Sequence, residues 1–295
     1  MCGRYAASAD MQEIVEELDV DLDRTGEPAR SILKKPQDPP AGSPDWNMAP
    51  TKQAPVVLTR RPKGEDVASA DAAAAGTAAA GAAPTDPARQ LRLLTWGLVP
   101  SWAKDPGVGI RMINARAETV LDKPAFAKAA ATRRCLVPAD GWYEWQRSPV
   151  ALDSKGKPRK QPFFIHRGDE APLAFAGLYE FWRDPAVADG DDPAAWLTTF
   201  AIVTTAADPG MDRIHDRQPL ILDEDRWADW LDPDLTDPGH VQEMLDFARP
   251  GRFAAYPVST AVNGSASNGP GLVEPVPVED LVGVVDPETG EVIGG

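Results

Sequence analysis

The chain has 295 residues, with 45 Asp or Glu against 30 Lys or Arg, which gives a formal net charge of −15. Its 43% hydrophobic content excludes a wholly disordered chain, and this length can bury one substantial core or two modest ones. We expect neither a membrane span nor a secretion signal, because no run of about 18 apolar residues and no basic-then-apolar leader occurs. Two cysteines, 133 positions apart, favour a reducing cytoplasmic setting over a disulfide framework.

The negative charge lies mainly outside the middle of the chain. The stretches 10–31, 223–246 and 261–295 together carry −20, so the remainder carries +5, and the window 111–134 alone carries +4. A charge of −15 by itself argues against nucleic-acid binding, which depends on Lys and Arg contacts to phosphate. The distribution is the better guide, and it leaves a mildly basic middle.

Taken in chain order, the first predicted element is a helix over 10–18. Apolar residues there recur at i, i+3, i+4 and i+7, and Asp10 with Glu13 has the spacing of a capping box. The Pro-rich segment 24–45 predicts a loop. The Ala/Gly/Asp-rich segment 62–88 predicts a disordered insertion, because it offers almost no large apolar side chain for packing.

Short segments rich in Val, Leu and aromatic residues, separated by Gly and Pro, predict strands at 55–59, 90–99, 134–138, 141–146, 162–166, 173–181 and 198–205. Further helices are predicted at 123–132, introduced by Asp122, and at 223–231 and 237–248. Strand–helix–strand alternation is rare. The pattern therefore predicts an α+β fold with a curled, largely antiparallel β-sheet core and peripheral helices. We expect one domain over 1–260, then an acidic Gly/Pro-rich tail over 261–295 that is frayed after about residue 270.

The chain opens Met1-Cys2-Gly3-Arg4. Aminopeptidases remove an initiator Met that precedes a small residue, so we expect the mature chain to begin at Cys2. Its α-amine and thiol, with ordinary pKa values of about 8 and 8.5, are both partly nucleophilic at neutral pH. Such an aminothiol can capture an aldehyde as a thiazolidine or attack an acyl carbon. The alternative is that Cys2 is simply the second residue of a frayed terminus.

Three more segments carry candidate chemistry. Asn114 offers an amide that can donate and accept hydrogen bonds, and Arg116 offers a guanidinium that can bind phosphate. An Arg–Glu ion pair at the end of a strand explains Arg116 equally well. Glu144, flanked by aromatic residues on a strand, would have a raised pKa suited to proton transfer if buried, and an ordinary one if solvated. His215 lies in a loop rich in charged partners, which alone is weak support for catalysis.

Metal and cofactor sites have no support in the sequence. Neither C-x-x-C nor H-E-x-x-H occurs, and no Gly-rich phosphate loop is present. Cys135 has the neighbours of a buried core thiol. We therefore expect no metal and no cofactor.

The chain resembles the SRAP family of SOS-response-associated peptidase-like, abasic-site-processing proteins. The resemblance covers residues 1 to about 260, apart from 24–45 and the Ala-rich insertion, in seven segments that occur in order: MCGRYA at 1–6, WNMAPT at 46–51, TWGLVPSWA at 95–103, INARAET at 113–119, RCLVPADGWYEW at 134–145, FAGLYEFW at 175–182 and TTFAIVTTAAD with IHDRQPLIL at 198–222.

The resemblance implies a covalent crosslink to abasic sites in single-stranded DNA. By family pattern, the catalytic residues are Cys2, Asn114, Glu144 and His215. The same pattern places Arg4, Arg116 and Arg217 on DNA and Trp96 and Trp145 where bases stack. Gln218 stands where the family commonly has Met. The implied protein is a cytoplasmic monomer, associated with the nucleoid when bound to DNA, whose partner is single-stranded DNA and not a membrane.

The family chemistry implies that the Cys2 amine attacks the aldehyde of the ring-opened sugar and the thiolate closes a thiazolidine, which shields the lesion. His215 is then the acid/base that helps open the sugar, Glu144 accepts a proton from the Cys2 ammonium, and Asn114 anchors the terminus or sugar. The family's peptidase label implies hydrolysis of a peptide bond, which we interpret as autoprocessing of the N-terminus.

Two alternatives stay open from the sequence. One is an N-terminal-cysteine amidohydrolase of the glutamine amidotransferase kind, which also begins Met-Cys-Gly; Arg4 and the lack of an Asn-Gly-Glu segment count against it. The other is a non-covalent single-strand-binding module that uses the nine tryptophans and the basic middle.

Overall fold

The computed structural model describes residues 2–61, 86–169, 171–189 and 192–294. Its helices are α1 (Met11–Glu17), α2 (Ala127–Thr132), α3 (Trp227–Leu231) and α4 (Pro238–Leu245). Its strands are β1 (Tyr5–Ala7), β2 (Leu22–Asp23), β3 (Asp45–Met48), β4 (Gln53–Arg60), β5 (Ala88–Trp96), β6 (Asn114–Arg116), β7 (Arg134–Pro138), β8 (Gly141–Leu152), β9 (Pro158–Arg167), β10 (Ala174–Arg183), β11 (Trp196–Ala206), β12 (Arg217–Pro219), β13 (Phe253–Pro257), β14 (Val284–Val285) and β15 (Val292–Ile293).

Five of these strands close into a barrel. Strands β5, β4, β7, β10 and β11 pair antiparallel in that order, and a parallel pairing of β11 with β5, at Thr199–Thr95 and Phe200–Trp96, completes the ring. A second antiparallel sheet has the order β13-β9-β8-β1-β3. The predicted α+β fold, with a curled and largely antiparallel core, is confirmed.

The barrel strands alternate between two apolar clusters, as the period of two in a strand requires. One cluster takes one face of all five strands and includes the aromatic rings of Tyr5, Trp96, Phe175 and Phe200. The other takes the opposite face together with side chains of α1, α2, α3 and α4. Because the helices cover the outer face, the first cluster fills the barrel interior, and we call it the barrel-core cluster.

All four predicted helices are present, with shifted ends. The helix predicted at 223–231 is α-helical only from Trp227, after a 3₁₀ turn at Glu224–Arg226, and the helix predicted at 237–248 ends at Leu245. Asp10 caps α1 and forms the complete capping box with Glu13, and Asp237 caps α4 by accepting from the His240 N–H. The helix predicted at 123–132 begins only at Ala127, and Phe126 before it makes no side-chain cap. The Thr119 carbonyl accepts from the N–H groups of both Asp122 and Lys123, so the chain there forms turns rather than the first turn of a helix.

The predicted strands are all present, but eight short ones escape the sequence pattern: β1, β2, β3, β6, β12, β13, β14 and β15 have only two to five residues each. Strand β5 ends at Trp96, three residues before the predicted end, because Gly97 has φ +128°, outside the extended region. The predicted insertion at 62–88 lies outside the described residues as far as residue 85, and Ala88 already belongs to β5.

The prediction of a frayed tail is wrong. Leu281 and Val284 are 4% and 2% exposed and belong to the barrel-core cluster, and Leu272 is buried in a neighbouring cluster. Strands β14 and β15 pair with each other. Val262, Leu272, Leu281 and Val284 are buried, and the burial of these side chains outweighs the loop-like composition of the tail. No helix in the described part of the chain is both long and apolar enough to cross a membrane.

Candidate active site

The N-terminal strand brings Cys2 into the barrel-core cluster. Strand β1 lies between β3 and β8, with Tyr5 opposite Met48 on one side and Trp142 on the other. Cys2, three residues before Tyr5, has no exposed surface. Its carbonyl accepts a hydrogen bond of 2.7 Å from Nδ2 of Asn114. The Asn114 side chain therefore ties the chain terminus to β6 and, through β6, to the barrel strand β11.

Glu144 lies on β8 and is only 2% exposed. Burial raises the pKa of its carboxyl group from 4.5 to about 7, since the charged form loses its hydration. Burial, and secondarily the charge of Glu144, raises the pKa of the Cys2 thiol well above its usual value. Cys2 and Glu144 are thus electrostatic neighbours. A carboxyl group with a pKa near 7 can both take up and release a proton at neutral pH.

His215 follows the 3₁₀ turn Met211–Arg213 and precedes β12. Its Nδ1 accepts a hydrogen bond of 3.1 Å from the Arg217 backbone N–H, which assigns the proton of the neutral ring to Nε2. Burial lowers the pKa of His215, and the carboxylate of Asp216, 3.0 Å from Nδ1, opposes that shift. The imidazole is therefore largely neutral near pH 7 while keeping a proton to donate.

One cavity of about 550 Å³ is lined by both Glu144 and His215. Trp145 lies on its wall and donates from Nε1 to the Asn263 side chain at 2.7 Å. Its remaining charged lining residues carry a formal excess of one positive charge, with Arg147, Lys160 and Arg213 against Asp212 and Asp216. The cavity thus combines two titratable groups, an indole and basic side chains. Within the described ranges, no three His, Cys, Asp or Glu side chains are placed to hold a metal ion.

Two of the residues predicted to contact DNA are engaged inside the protein. Trp96 has no exposed surface, stacks on Phe200 and donates from Nε1 to the Ile113 carbonyl at 2.9 Å. The prediction that Trp96 stacks on DNA bases is wrong for this structure, because the strand period turns its ring into the closed barrel. Arg4 is half-buried and donates to Oδ1 of Asn47 at 2.6 Å and to the Val262 carbonyl at 2.9 Å.

The other two arginines differ in exposure. Arg116 is exposed at the end of β6, two residues after Asn114. Arg217 forms a bidentate ion pair with Glu118, at 2.5 and 3.0 Å, and donates to the Thr204 carbonyl. That pair lowers the pKa of Glu118. Arg116 is free to approach a phosphate, whereas Arg217 would have to leave Glu118 to do so.

Comparison with known proteins places this arrangement in a family. A family model described as SOS response associated peptidase (SRAP) matches residues 1–265. The chain belongs to the SRAP family. It is 35% identical over 276 residues to the abasic site processing protein YoqW of Bacillus subtilis (strain 168), which covers 93% of this chain and 99% of that protein. It is 30% identical over 307 residues to the abasic site processing protein HMCES of Mus musculus, covering 93% of this chain and 76% of that protein.

Solved structures agree with the SRAP assignment. A phage-related protein from Bordetella bronchiseptica superposes with a TM-score of 0.53 at 31% identity, covering 87% of this chain and 94% of that one. A protein from Bacteroides thetaiotaomicron superposes with a TM-score of 0.66 at 22% identity, covering 93% of this chain and 100% of that one, which shows a shared fold.

Gln146 is a further residue of this SRAP site that no sequence motif indicates. Its side chain is 2% exposed, donates to the carbonyls of Arg213 and Val285, and accepts from the Val285 N–H at 2.7 Å. Gln146 thereby joins β8, the turn before His215 and the C-terminal tail. The only signal in the sequence is its spacing of two from Glu144, which places both side chains on one face of β8.

Proposed function

We propose that this protein processes abasic sites in single-stranded DNA by forming a covalent thiazolidine linkage through Cys2 after Met1 is removed. The observation that carries the proposal is the hydrogen bond from Asn114 to the Cys2 carbonyl, which fixes the terminus beside Glu144. The names of the SRAP relatives YoqW and HMCES, abasic site processing proteins, support the same substrate.

The bond changes balance without an added oxidant or reductant. The free Cys2 amine adds to the C1′ aldehyde of the ring-opened sugar and one water leaves, which gives an imine. The thiol then adds across the C=N bond, sulfur to carbon and proton to nitrogen, and closes a five-membered ring. The pKa of the buried thiol is raised, so sulfur must release its proton as it bonds to carbon, and nitrogen receives that proton.

Glu144 and His215 take different proton-transfer roles in this proposal. Glu144, with a pKa of about 7, accepts the proton that the Cys2 ammonium must lose before it can attack. His215, neutral and protonated on Nε2, donates a proton to the ring oxygen as the cyclic sugar opens to the aldehyde and takes up the proton of the C1′ hydroxyl, so the imidazole ends neutral. Burial separates their tasks by raising the pKa of the carboxyl group and lowering that of the imidazole.

The surroundings of the cavity suit a single strand. Arg147 and Lys160 lie opposite each other on β8 and β9 and line the cavity together with Arg213, so they can hold phosphates. Trp145, half-buried on the same wall, can stack on a base, a contact worth about 1–3 kcal/mol. Arg116 adds an exposed guanidinium beside Asn114.

The peptidase activity in the family description corresponds, in our proposal, to removal of the N-terminal Met. Intact-mass measurement of the purified chain and of Glu144→Gln tests this. Retention of Met1 only in the variant supports self-processing, whereas complete loss in both proteins assigns the cleavage to a host aminopeptidase.

The crosslink itself is tested by incubating the protein with single-stranded DNA that holds one abasic site and running a denaturing gel. We expect a shifted band with the native chain and with Cys135→Ser, the matched control, and none with Cys2→Ser. The absence of a band with the native chain contradicts the proposal. Glutamine hydrolysis would then favour the amidohydrolase, and tight binding of intact DNA would favour the non-covalent module.

A further inference from the structure

A second cavity, of about 530 Å³, opens at the other end of the barrel and shares no lining residue with the cavity of Glu144 and His215. Thr198 on β11 lines it, four residues before Ile202, which lies opposite Asn114. At about 3.3 Å per residue, Thr198 and Ile202 are about 13 Å apart along the strand. The second cavity is therefore a separate place on the molecule, away from the Cys2 terminus.

Three arginines face inward at this mouth of the barrel. Arg60 at the end of β4, Arg92 on β5 and Arg133 just before β7 all line the cavity. Each is two residues from a barrel-interior side chain, namely Leu58, Leu94 and Cys135 respectively. The hydrogen bond from the Tyr179 N–H to the Arg133 carbonyl extends the strand ladder to that position. Strand alternation thus directs three like charges toward one space.

The acids at this mouth do not neutralise it. Five arginines line the cavity, the three above with Arg24 and Arg30, against only Glu27 and Glu180. Glu27 accepts from Arg92 at 2.8 Å and from Arg24 at 3.3 Å, and Glu180 is bonded to Arg133. Asp184 lies outside the lining but pairs with Arg30 at 2.6 Å, so in a chain of net charge −15 this mouth has a local formal excess of two positive charges. Converging like charges repel unless an anion joins them.

Arg60 is the guanidinium best placed to receive that anion. It lies over the ring of Phe181 at 5.2 Å, and within the described ranges no carboxylate lies within 4 Å of it. Trp196, 41% exposed, forms another part of the wall. Guanidinium forks bind phosphate oxygens in pairs, and aromatic walls accept a planar ring. A cavity of about 530 Å³ is also within the usual size range for small ligands.

We propose that this arginine-lined cavity binds a nucleotide phosphate, with the phosphate held by Arg60 and its neighbours and the base against Phe181 and Trp196. A free mononucleotide and the phosphorylated terminal nucleotide of a DNA strand present the same chemistry. The site is independent of Cys2 and stands whether or not the crosslinking reaction proposed above is correct.

Isothermal titration of the full-length chain with deoxyadenosine 5′-monophosphate tests the proposal. We expect saturable binding that Arg60→Gln weakens at least tenfold. Arg61→Gln is the matched control, because Arg61 is adjacent, pairs with Asp234 at 2.6 Å and does not line the cavity. Arg60→Gln should leave the thermal unfolding temperature and the rate of crosslinking to abasic DNA unchanged.

Competition experiments identify the source of the phosphate. Displacement of the mononucleotide by a 5′-phosphorylated oligothymidylate, and not by its unphosphorylated twin, assigns the site to a strand end. Displacement by neither assigns it to free nucleotide. The proposal is overturned if the mononucleotide does not bind saturably, if deoxyadenosine binds equally well, or if Arg60→Gln and Arg61→Gln bind it equally.

Discussion

Replacing Glu144 with Gln measures the cost of ionising a carboxyl group buried beside Cys2. Burial raises the pKa of Glu144 from 4.5 to about 7 in the folded protein, so the folded state binds this proton more tightly than the unfolded state does. The resulting stability is fully present below the unfolded pKa and is lost as pH rises through about 7. At 1.36 kcal/mol per pKa unit, the whole effect is about 3 kcal/mol, of which about 2.5 kcal/mol falls between pH 5 and pH 8.

Urea unfolding of the two proteins at about pH 5 and about pH 8 provides the assay. Gln has nearly the same shape and does not titrate, so the Glu144→Gln variant should gain about 2.5 kcal/mol over the native chain between these pH values, about 5 °C in unfolding temperature. Glu243→Gln, at an exposed position on α4, is the control and should follow the native chain. Parallel pH profiles for Glu144→Gln and the native chain would refute the reasoning, and so would a gain of stability by the native chain at high pH.

Three further predictions concern stability and the tail. The Lys52 Nζ lies 2.5 Å from the carboxylate of Asp45, which is fully buried. Lys52→Met removes this counter-charge and should lower the free energy of unfolding in urea by about 3–5 kcal/mol; an unchanged midpoint of the urea transition would contradict this. Gly97→Ala should lower the free energy of unfolding by about 2 kcal/mol or more in thermal unfolding, because Gly97 has φ +128° and the added Cβ would lie 2.6 Å from a backbone carbonyl oxygen. Gly156→Ala, with nothing within 4 Å of its added Cβ, should cost less, and equal losses would contradict the prediction. Deleting 281–295 should lower the free energy of unfolding by about 3 kcal/mol or more, because the buried side chains of Leu281 and Val284 are lost. The deletion should also slow crosslinking, measured on the denaturing gel, because Gln146 loses its bond to Val285; full activity would show that the tail does not support the turn before His215.

Secondary structure could be predicted where the controlling interactions are local. The capping box of Asp10 and Glu13 is a contact over three residues, so the sequence pattern locates the start of α1. The predicted helix start at 123 is wrong because the chain before Ala127 forms turns, in which the Thr119 carbonyl accepts from the Asp122 N–H and the Lys123 carbonyl from the Phe126 N–H. Short strands such as β6 and β12 were missed because three residues are too few to show alternation, and their pairing with β11 is what makes them strands.

The candidate site shows the same division. The aromatic neighbours of Glu144 led to the expectation of a raised pKa if the carboxyl group is buried, and the structure buries it. The family resemblance predicts that Trp96 stacks on DNA bases. A motif match identifies the residue, but it does not state which face of the strand becomes the barrel interior. The composition of the tail predicts that it is exposed to solvent. In the structure Leu281 and Val284 belong to the barrel-core cluster, and the Val285 carbonyl accepts a hydrogen bond from Gln146.

The sequence by itself determined which reactive groups this protein has, the type of its longer strands and of its helices, and its family. These follow from residue chemistry and from patterns that span a few neighbours. Only the tertiary structure decided which of those groups are buried, which are paired and which share a cavity. The reason is that closing the barrel through β5 and β11 turns one face of every strand away from water, and that step depends on contacts between residues about a hundred positions apart.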